Sequence, residues 1–171
     1  MPVTARARVS PPAMADVLKR FRILLRSMEA HYRRVEESSG LGGAQVWALS
    51  EIASSEGGLT VGELAEKLAI HLSTASNLVR RLEELKLLTR NRSREDQRVV
   101  QLSVTAAGRR KIEQAPKPSM GLLQQALSEM TAGELETLGN ELDKLLRRMR
   151  HLDRRAGTMV IAEILSRKTE R

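Results

Sequence analysis

Residues 60–108 read TVGELAEKLAIHLSTASNLVRRLEELKLLTRNRSREDQRVVQLSVTAAG. The stretch opens on Thr60-Val-Gly-Glu63, a capping box in which the threonine hydroxyl can accept from the Glu63 amide while the glutamate reaches back to the Thr60 amide. A short helix over 61–68 follows. After a turn at 69–71, Leu72, Ala75, Leu78, Val79, Leu82 and Leu85 recur at helical spacing and predict a second helix to about Lys86. Two short helices across a tight turn make a helix-turn-helix. Residues 87–92 and 99–104 then read as strands, the second alternating Val99, Gln101 and Ser103 against Val100, Leu102 and Val104. The charged stretch between them is too short for anything but a hairpin.

Upstream, Val17, Phe21, Leu24, Met28, Tyr32 and Val35 step by three and four with arginines and a lysine between them, which predicts a long amphipathic helix. It stops near the loop 38–43. Val46, Trp47, Leu49, Ile52 and Ala53 mark another helix, with Gly57 and Gly58 as its C-terminal stop. Residues 1–12, with three prolines and two arginines and no periodicity, are read as a disordered arm. Downstream, Thr105-Ala-Ala-Gly108 opens a helix interrupted by Pro116 and Pro118. A second capping box, Thr131-Ala-Gly-Glu134, then precedes Leu135, Leu138, Leu142, Leu145, Met149 and Leu152, a 3-4 seam like that of a coiled coil.

The 171 residues allow one domain with a sizeable core. Apolar residues make up 41%, yet Phe21, Tyr32 and Trp47 are the only Phe, Trp or Tyr, so aliphatic side chains must build that core, which suits helices. The chain has no cysteine, which excludes disulfides, thiolate metal sites and thiol-based redox sensing. No segment approaches the uncharged length that spans a bilayer and no apolar leader follows the N-terminus, so a soluble, cytoplasmic protein without membrane partners is expected.

The formal charge is +8, unevenly placed: residues 1–70 carry +1, residues 71–111 carry +6 and residues 112–171 carry +1. A basic block inside a folded unit is the footprint of a nucleic-acid surface. If the leucine side of the helix over 72–85 packs inward, Ser73, Thr74, Ser76, Asn77, Arg80, Arg81 and Glu84 turn outward. Asn can bond an adenine edge through two contacts, Arg a guanine edge, and Ser or Thr either bases or phosphates. The alternative is that Ser73 and Thr74 only cap the helix while the arginines pair with Glu84 and neighbouring acids. In the hairpin, Arg92, Arg94 and Arg98 can reach the backbone or the adjacent minor groove, with Asp96 able to orient an arginine.

These residues resemble the MarR family of winged helix-turn-helix regulators. The resemblance covers roughly residues 18–152 and is carried by Glu63-Leu-Ala-Glu-Lys-Leu68, Ser73-Thr-Ala-Ser-Asn-Leu78, Arg81-Leu82-Glu83 and, most specifically, Asp96-Gln-Arg98 followed by Val104-Thr-Ala-Ala-Gly108. It implies a mainly α fold with a small β-hairpin wing, a winged helix-turn-helix DNA-binding domain over 42–112, and dimerisation helices over 13–40 and 119–171. It also implies a homodimer on a palindromic double-stranded operator, usually repressing and often released by a small aromatic or phenolic effector, with Arg98 as the wing arginine and Asp96 its orienting partner. Trp47, Tyr32 or Arg26 are candidates to line an effector cleft.

Three departures from the pattern stand out. Lys86 replaces a glycine after the recognition helix, so the helix either ends without a left-handed cap or holds Lys86 in a strained turn. His71 stands where a Ser or Asp commonly caps, which shifts the cap to Ser73 or weakens it. The tail beyond Asp153 carries an apolar stretch, 159–165, that could pack across a dimer. An enzyme is disfavoured, because His31, His71 and His151 fall on different elements, read as surface or boundary residues, and no phosphate loop, metal-ligand helix or nucleophile elbow occurs. No cofactor or metal is expected. The remaining competitor is a nonspecific, nucleoid-type DNA-coating protein.

Overall fold

The structure, a computed structural model, describes residues 11–92 and 99–166. A long helix α1 (Pro11–Ser39) leads into α2 (Gly43–Ser54), α3 (Val61–Lys67) and α4 (Leu72–Glu84). The strands β1 (Leu88–Arg92) and β2 (Val100–Val104) follow, then α5 (Ala106–Gln114), α6 (Leu122–Ser128) and α7 (Ala132–Leu146). A single 3₁₀ turn (Arg154–Thr158) and α8 (Ile161–Ser166) complete the described chain. The mainly helical fold with a two-stranded hairpin agrees with the sequence reading. The arm expected over 1–12 is shorter at its inner end, because Pro11 and Pro12 belong to α1. Proline in a first helical turn forfeits no internal hydrogen bond and presents the right φ. Residues 1–10 lie outside the described residues.

α2 sits at the centre and is buried nearly all round through Ala44, Val46, Trp47, Ala48, Leu49 and Ile52, as a helix wrapped by others must be. Trp47 Nε1 donates to Glu51 Oε1 at 3.0 Å, and the other Glu51 oxygen meets Lys67 Nζ at 3.6 Å, tying α2 to α3. The helix-turn-helix closes over this core with Leu64, Ala65 and Leu68 from α3 and its turn, and with Ala75, Leu78, Val79 and Leu82 from α4. Leu72 and Leu85, expected on the packed side, are 54% and 50% exposed. They occupy the first helical position and the C-cap, beyond the edge of the core.

The glycines at 57 and 58 do more than stop α2, which has already ended at Ser54. Both take positive φ, 85° and 87°, and fold the chain back so that Leu59 forms a bridge beside Leu102, whose amide donates to the Leu59 carbonyl at 2.7 Å. A Cβ at Gly58 would overlap the Leu102 carbonyl, so this third short edge at the base of the hairpin exists only because residue 58 has no side chain. β1 and β2 pair antiparallel from Leu88↔Val104 to Arg92↔Val100.

Only the C-terminal half of α1 is buried, through Met28, His31, Tyr32 and Val35. The predicted stripe continues toward the N-terminus as Val17, Phe21 and Leu24, but these stay exposed. The reading of all three histidines as surface or boundary residues is corrected at His31, which is 2% exposed between α1 and the loop before α6. The seam of α7 is also shorter than its pattern. The helix ends at Leu146, its last turn tightening through bonds from Arg148 N to Leu145 O and from Met149 N to Leu146 O, so Met149 and Leu152 leave the seam. The chain turns back because the tail has apolar residues to bury: Val160 and Ala162 pack into the common core as α8 contacts α1 and α2. The apolar tail expected to reach across a dimer is thus seated on its own chain.

Candidate nucleic-acid interface

α4 is held at both ends by devices the sequence only half discloses. At its start, His71 is itself the cap: Nδ1 accepts from Ser73 N at 3.3 Å and lies 2.8 Å from Ser73 Oγ. The cap therefore neither moves to Ser73 nor disappears, because a neutral imidazole nitrogen is an acceptor like a serine oxygen. At its end, Lys86 adopts φ 58°, the left-handed turn usually given to glycine. Lys86 N then reaches Glu83 O at 2.8 Å and Leu87 N reaches Leu82 O at 2.9 Å, which satisfies carbonyls the helix leaves open. Thr105 secures this turn from the other side: its hydroxyl donates to Lys86 O at 2.9 Å and accepts from Gly108 N at 3.1 Å. Gly108 packs so closely on the Leu87 carbonyl that a Cβ has no room there. The Thr-x-x-Gly spacing is a clasp between α5 and the junction of α4 with the hairpin.

With α4 so fixed, Ser73, Ser76, Asn77, Arg80 and Arg81 are exposed and Thr74 is half-buried. Arg80 Nη2 donates to Asn77 Oδ1 at 3.2 Å, aligning a guanidinium with a side-chain amide on the outer surface. Neither Arg80 nor Arg81 forms an ion pair among the described residues, so the alternative in which Glu84 neutralises them does not occur. Glu83 instead holds Arg90 of β1, 3.1 Å from Nε to Oε2, and braces the hairpin against α4. Sequence reasoning missed this contact, and its only signal was an acid near the helix end and a base seven residues on. Arg92 is exposed at the end of β1. Arg94, Asp96 and Arg98 lie outside the described residues.

Two clefts open on the molecule, one of them beside this surface. One of about 560 Å³ runs between α4 and the tail and is lined by Glu36, Gln45, Thr74, Asn77, Arg81 and Glu163. The other, about 570 Å³, lies between α2 and the loop after α5, lined by Trp47, Ser50, Ile112, Lys117, Met120 and Gln125. Of the three suggested effector contacts, Trp47 lines the second of these clefts and Tyr32 and Arg26 line neither. Tyr32 is a core residue whose hydroxyl is 3.4 Å from Gln124 Oε1, and Arg26 pairs with Glu29 on the surface at 2.9 Å. Among the described residues no group of three or more His, Cys, Asp or Glu could hold a metal ion, and no helix is long and apolar enough to cross a membrane.

A family model described as the MarR family matches residues 39–99, from the end of α1 to the foot of β2. The HTH-type transcriptional repressor MdtR of Bacillus subtilis is 27% identical over 122 residues, covering 71% of this chain and 78% of its own length. Over residues 39–99 the chain is similar to the MarR family. The MarR fold is matched by the crystal structure of YusO from Bacillus subtilis, with a TM-score of 0.51 at 25% identity over 83% of this chain and 100% of that one. A MepR-like protein complexed with pseudoligands, 21% identical with a TM-score of 0.50 over 76% of this chain and 92% of that one, shares the fold. The exposed side of α4 carries Ser73, Ser76, Asn77, Arg80 and Arg81, with Glu84 at its C-terminal end.

Proposed function

We propose that this protein is a MarR-family regulator, a cytoplasmic homodimeric repressor that binds a pseudo-palindromic operator in double-stranded DNA. The observation that carries the reading is the exposed row Ser73, Ser76, Asn77, Arg80 and Arg81, whose arginines form no ion pair among the described residues and whose helix is clamped at both ends. On this reading these residues and Thr74 enter the major groove. Arg92, Arg94 and Arg98 contact the backbone or minor groove from the wing, with Asp96 orienting Arg98. The apolar stripes left exposed on α1 and α7 support a dimer, whose two-fold axis would set half-sites about one turn, 10–10.5 base pairs, apart. Repression is proposed from the similarity to MdtR, a transcriptional repressor. Trp47 and Lys117 at the second cleft offer a ring and an ammonium group, which suits a small aromatic or phenolic acid as releasing ligand.

The test is a fluorescence-anisotropy titration of labelled duplex from upstream of the protein's own coding sequence, against a scrambled duplex, at several salt concentrations. A preference of about 10³-fold that persists as salt rises supports an operator-binding regulator. Equal affinities that fall together with salt, followed by genome-wide binding without discrete sites, would indicate a nonspecific nucleoid-type protein instead. Asn77→Ala should cost about 1–3 kcal/mol and relax one position of the site, whereas Arg98→Ala should weaken binding to many sequences alike.

A further inference from the structure

The turn after α7 and the 3₁₀ segment form a basic run that the winged domain itself does not contain. Residues 147–155 hold five arginines against one acid, Asp153. All five arginines are exposed. Arg147 and Arg148 are directed back to α7, the first 3.8 Å from Asp143 Oδ2 and the second donating to Lys144 O at 2.6 Å. Arg150, Arg154 and Arg155 have no ion-pair partner among the described residues. Asp153 is occupied in capping, its Oδ1 accepting from Arg155 N at 3.1 Å, so it supports the turn on which the arginines stand.

This segment does not hang free. Val160 and Ala162 anchor it in the core, and His71 N donates to Thr158 O at 3.4 Å. His71 is the cap of α4, so the 3₁₀ turn ends against the N-terminus of the helix with the exposed basic face. A 3₁₀ rise of about 2 Å per residue puts the backbone of Arg154 and Arg155 within roughly 8 Å of that contact. A helix-turn-helix inserts the N-terminal end of its second helix into a major groove about 12 Å wide, which brings the flanking phosphates within arginine reach of the same point.

Resting on the reading of α4 as the DNA-facing helix, we propose that Arg154 and Arg155 form a second phosphate-contact surface, clamping the duplex backbone beside the N-terminus of α4. Contacts of this kind position the protein and carry no sequence information. Each lost phosphate contact lowers the slope of log affinity against log salt by about 0.9.

The experiment compares the full chain with Arg154→Ala/Arg155→Ala and Arg154→Lys/Arg155→Lys in anisotropy titrations of the upstream and scrambled duplexes over a salt series, with urea midpoints confirming that all three fold. The expected result is a slope shallower by about 1.8 per bound subunit for the alanine variant on both duplexes, with their affinity ratio unchanged and the lysine variant close to wild type. An unchanged slope overturns the proposal, and tighter binding by the alanine variant overturns it in favour of a tail that obstructs DNA. Failure of the wild-type chain to bind either duplex overturns the regulator reading as well, whereas wild-type binding with an unaltered variant slope removes this inference alone.

Discussion

Two residues at the junction of α4 and the hairpin carry opposite consequences for stability. Lys86 is held in a left-handed conformation that costs a side-chain-bearing residue roughly 1 kcal/mol. Lys86→Gly should therefore stabilise the fold against urea by up to about 0.5 kcal/mol once the greater chain entropy of glycine is deducted. Gly108→Ala should do the reverse. A Cβ there would overlap the Leu87 carbonyl, held by the Thr105 amide, and come within 2.6 Å of Val104 Cγ1, held by the strand pairing. Overpacking of that kind costs about 1–3 kcal/mol, and a midpoint unchanged from wild type would show that the clasp can yield. The glycine in place of Lys86 was the pattern the sequence departed from, and the structure shows that the turn was kept without it. Backbone geometry is imposed there by the Thr105 bond to the Lys86 carbonyl and by burial of Leu87 and Leu88 on either side of the junction.

At the scale of elements, α1 and the two capped helices α3 and α7 respond to acid in different windows. Burial pushes the His31 pKa below 6.5, Arg34 pushes in the same direction, and a hydrogen bond with the Pro118 backbone opposes them, while Nε2 has no partner. The folded state thus binds a proton less readily than the unfolded chain. Stability is fully present above about pH 6.5 and declines as pH falls from there through the folded-state value. Urea midpoints between pH 7.5 and 5.5 should fall, and His31→Phe should flatten the part of that slope due to residue 31; an identical slope in the variant would place the sensitivity elsewhere. Glu63 and Glu134 are held below the ordinary carboxylate range by hydrogen bonds from the Thr60 and Thr131 backbones and hydroxyls. Their contribution is present above about pH 4.5 and is lost as pH falls through the lowered values, so helix fraying at α3 and α7 belongs to stronger acid. Both capping boxes were readable directly because all their partners lie within three residues. The cap by His71 was not, since its imidazole could as well have faced solvent.

For the whole molecule the informative feature is what remains uncovered. Val17, Phe21 and Leu24 on α1 are between 37% and 50% exposed, and Leu135, Leu138, Leu142 and Leu145 on α7 between 36% and 42%. On the dimer reading, Leu138→Lys with Leu142→Lys should raise the dimer dissociation constant by at least about tenfold per leucine, because each buried side chain contributes on the order of 1.5–3 kcal/mol. Sedimentation equilibrium over a concentration series measures it. A wild-type chain that stays monomeric at micromolar concentration would require another covering for both stripes. Loss of the dimer should also weaken operator binding while leaving the fold of the winged domain intact, since its core of α2 to β2 uses neither leucine.

The sequence by itself determined the order and kind of the elements from α2 to α5 and the outward face of α4, because capping boxes, helical periodicity and a charged hairpin are local signals. It also located the excess of basic charge in residues 71–111. Tertiary structure alone decided the rest. It seated the tail on α1 and α2 instead of letting the α7 seam run on, buried His31, made Gly58 the hinge of a third edge to the hairpin, and paired Arg90 rather than Arg80 or Arg81 with an acid. Each of these depends on contacts between residues distant in sequence or on competition among alternative partners. Burial of a few apolar side chains, worth a kilocalorie or more apiece, outweighs the smaller local preferences that a periodicity records.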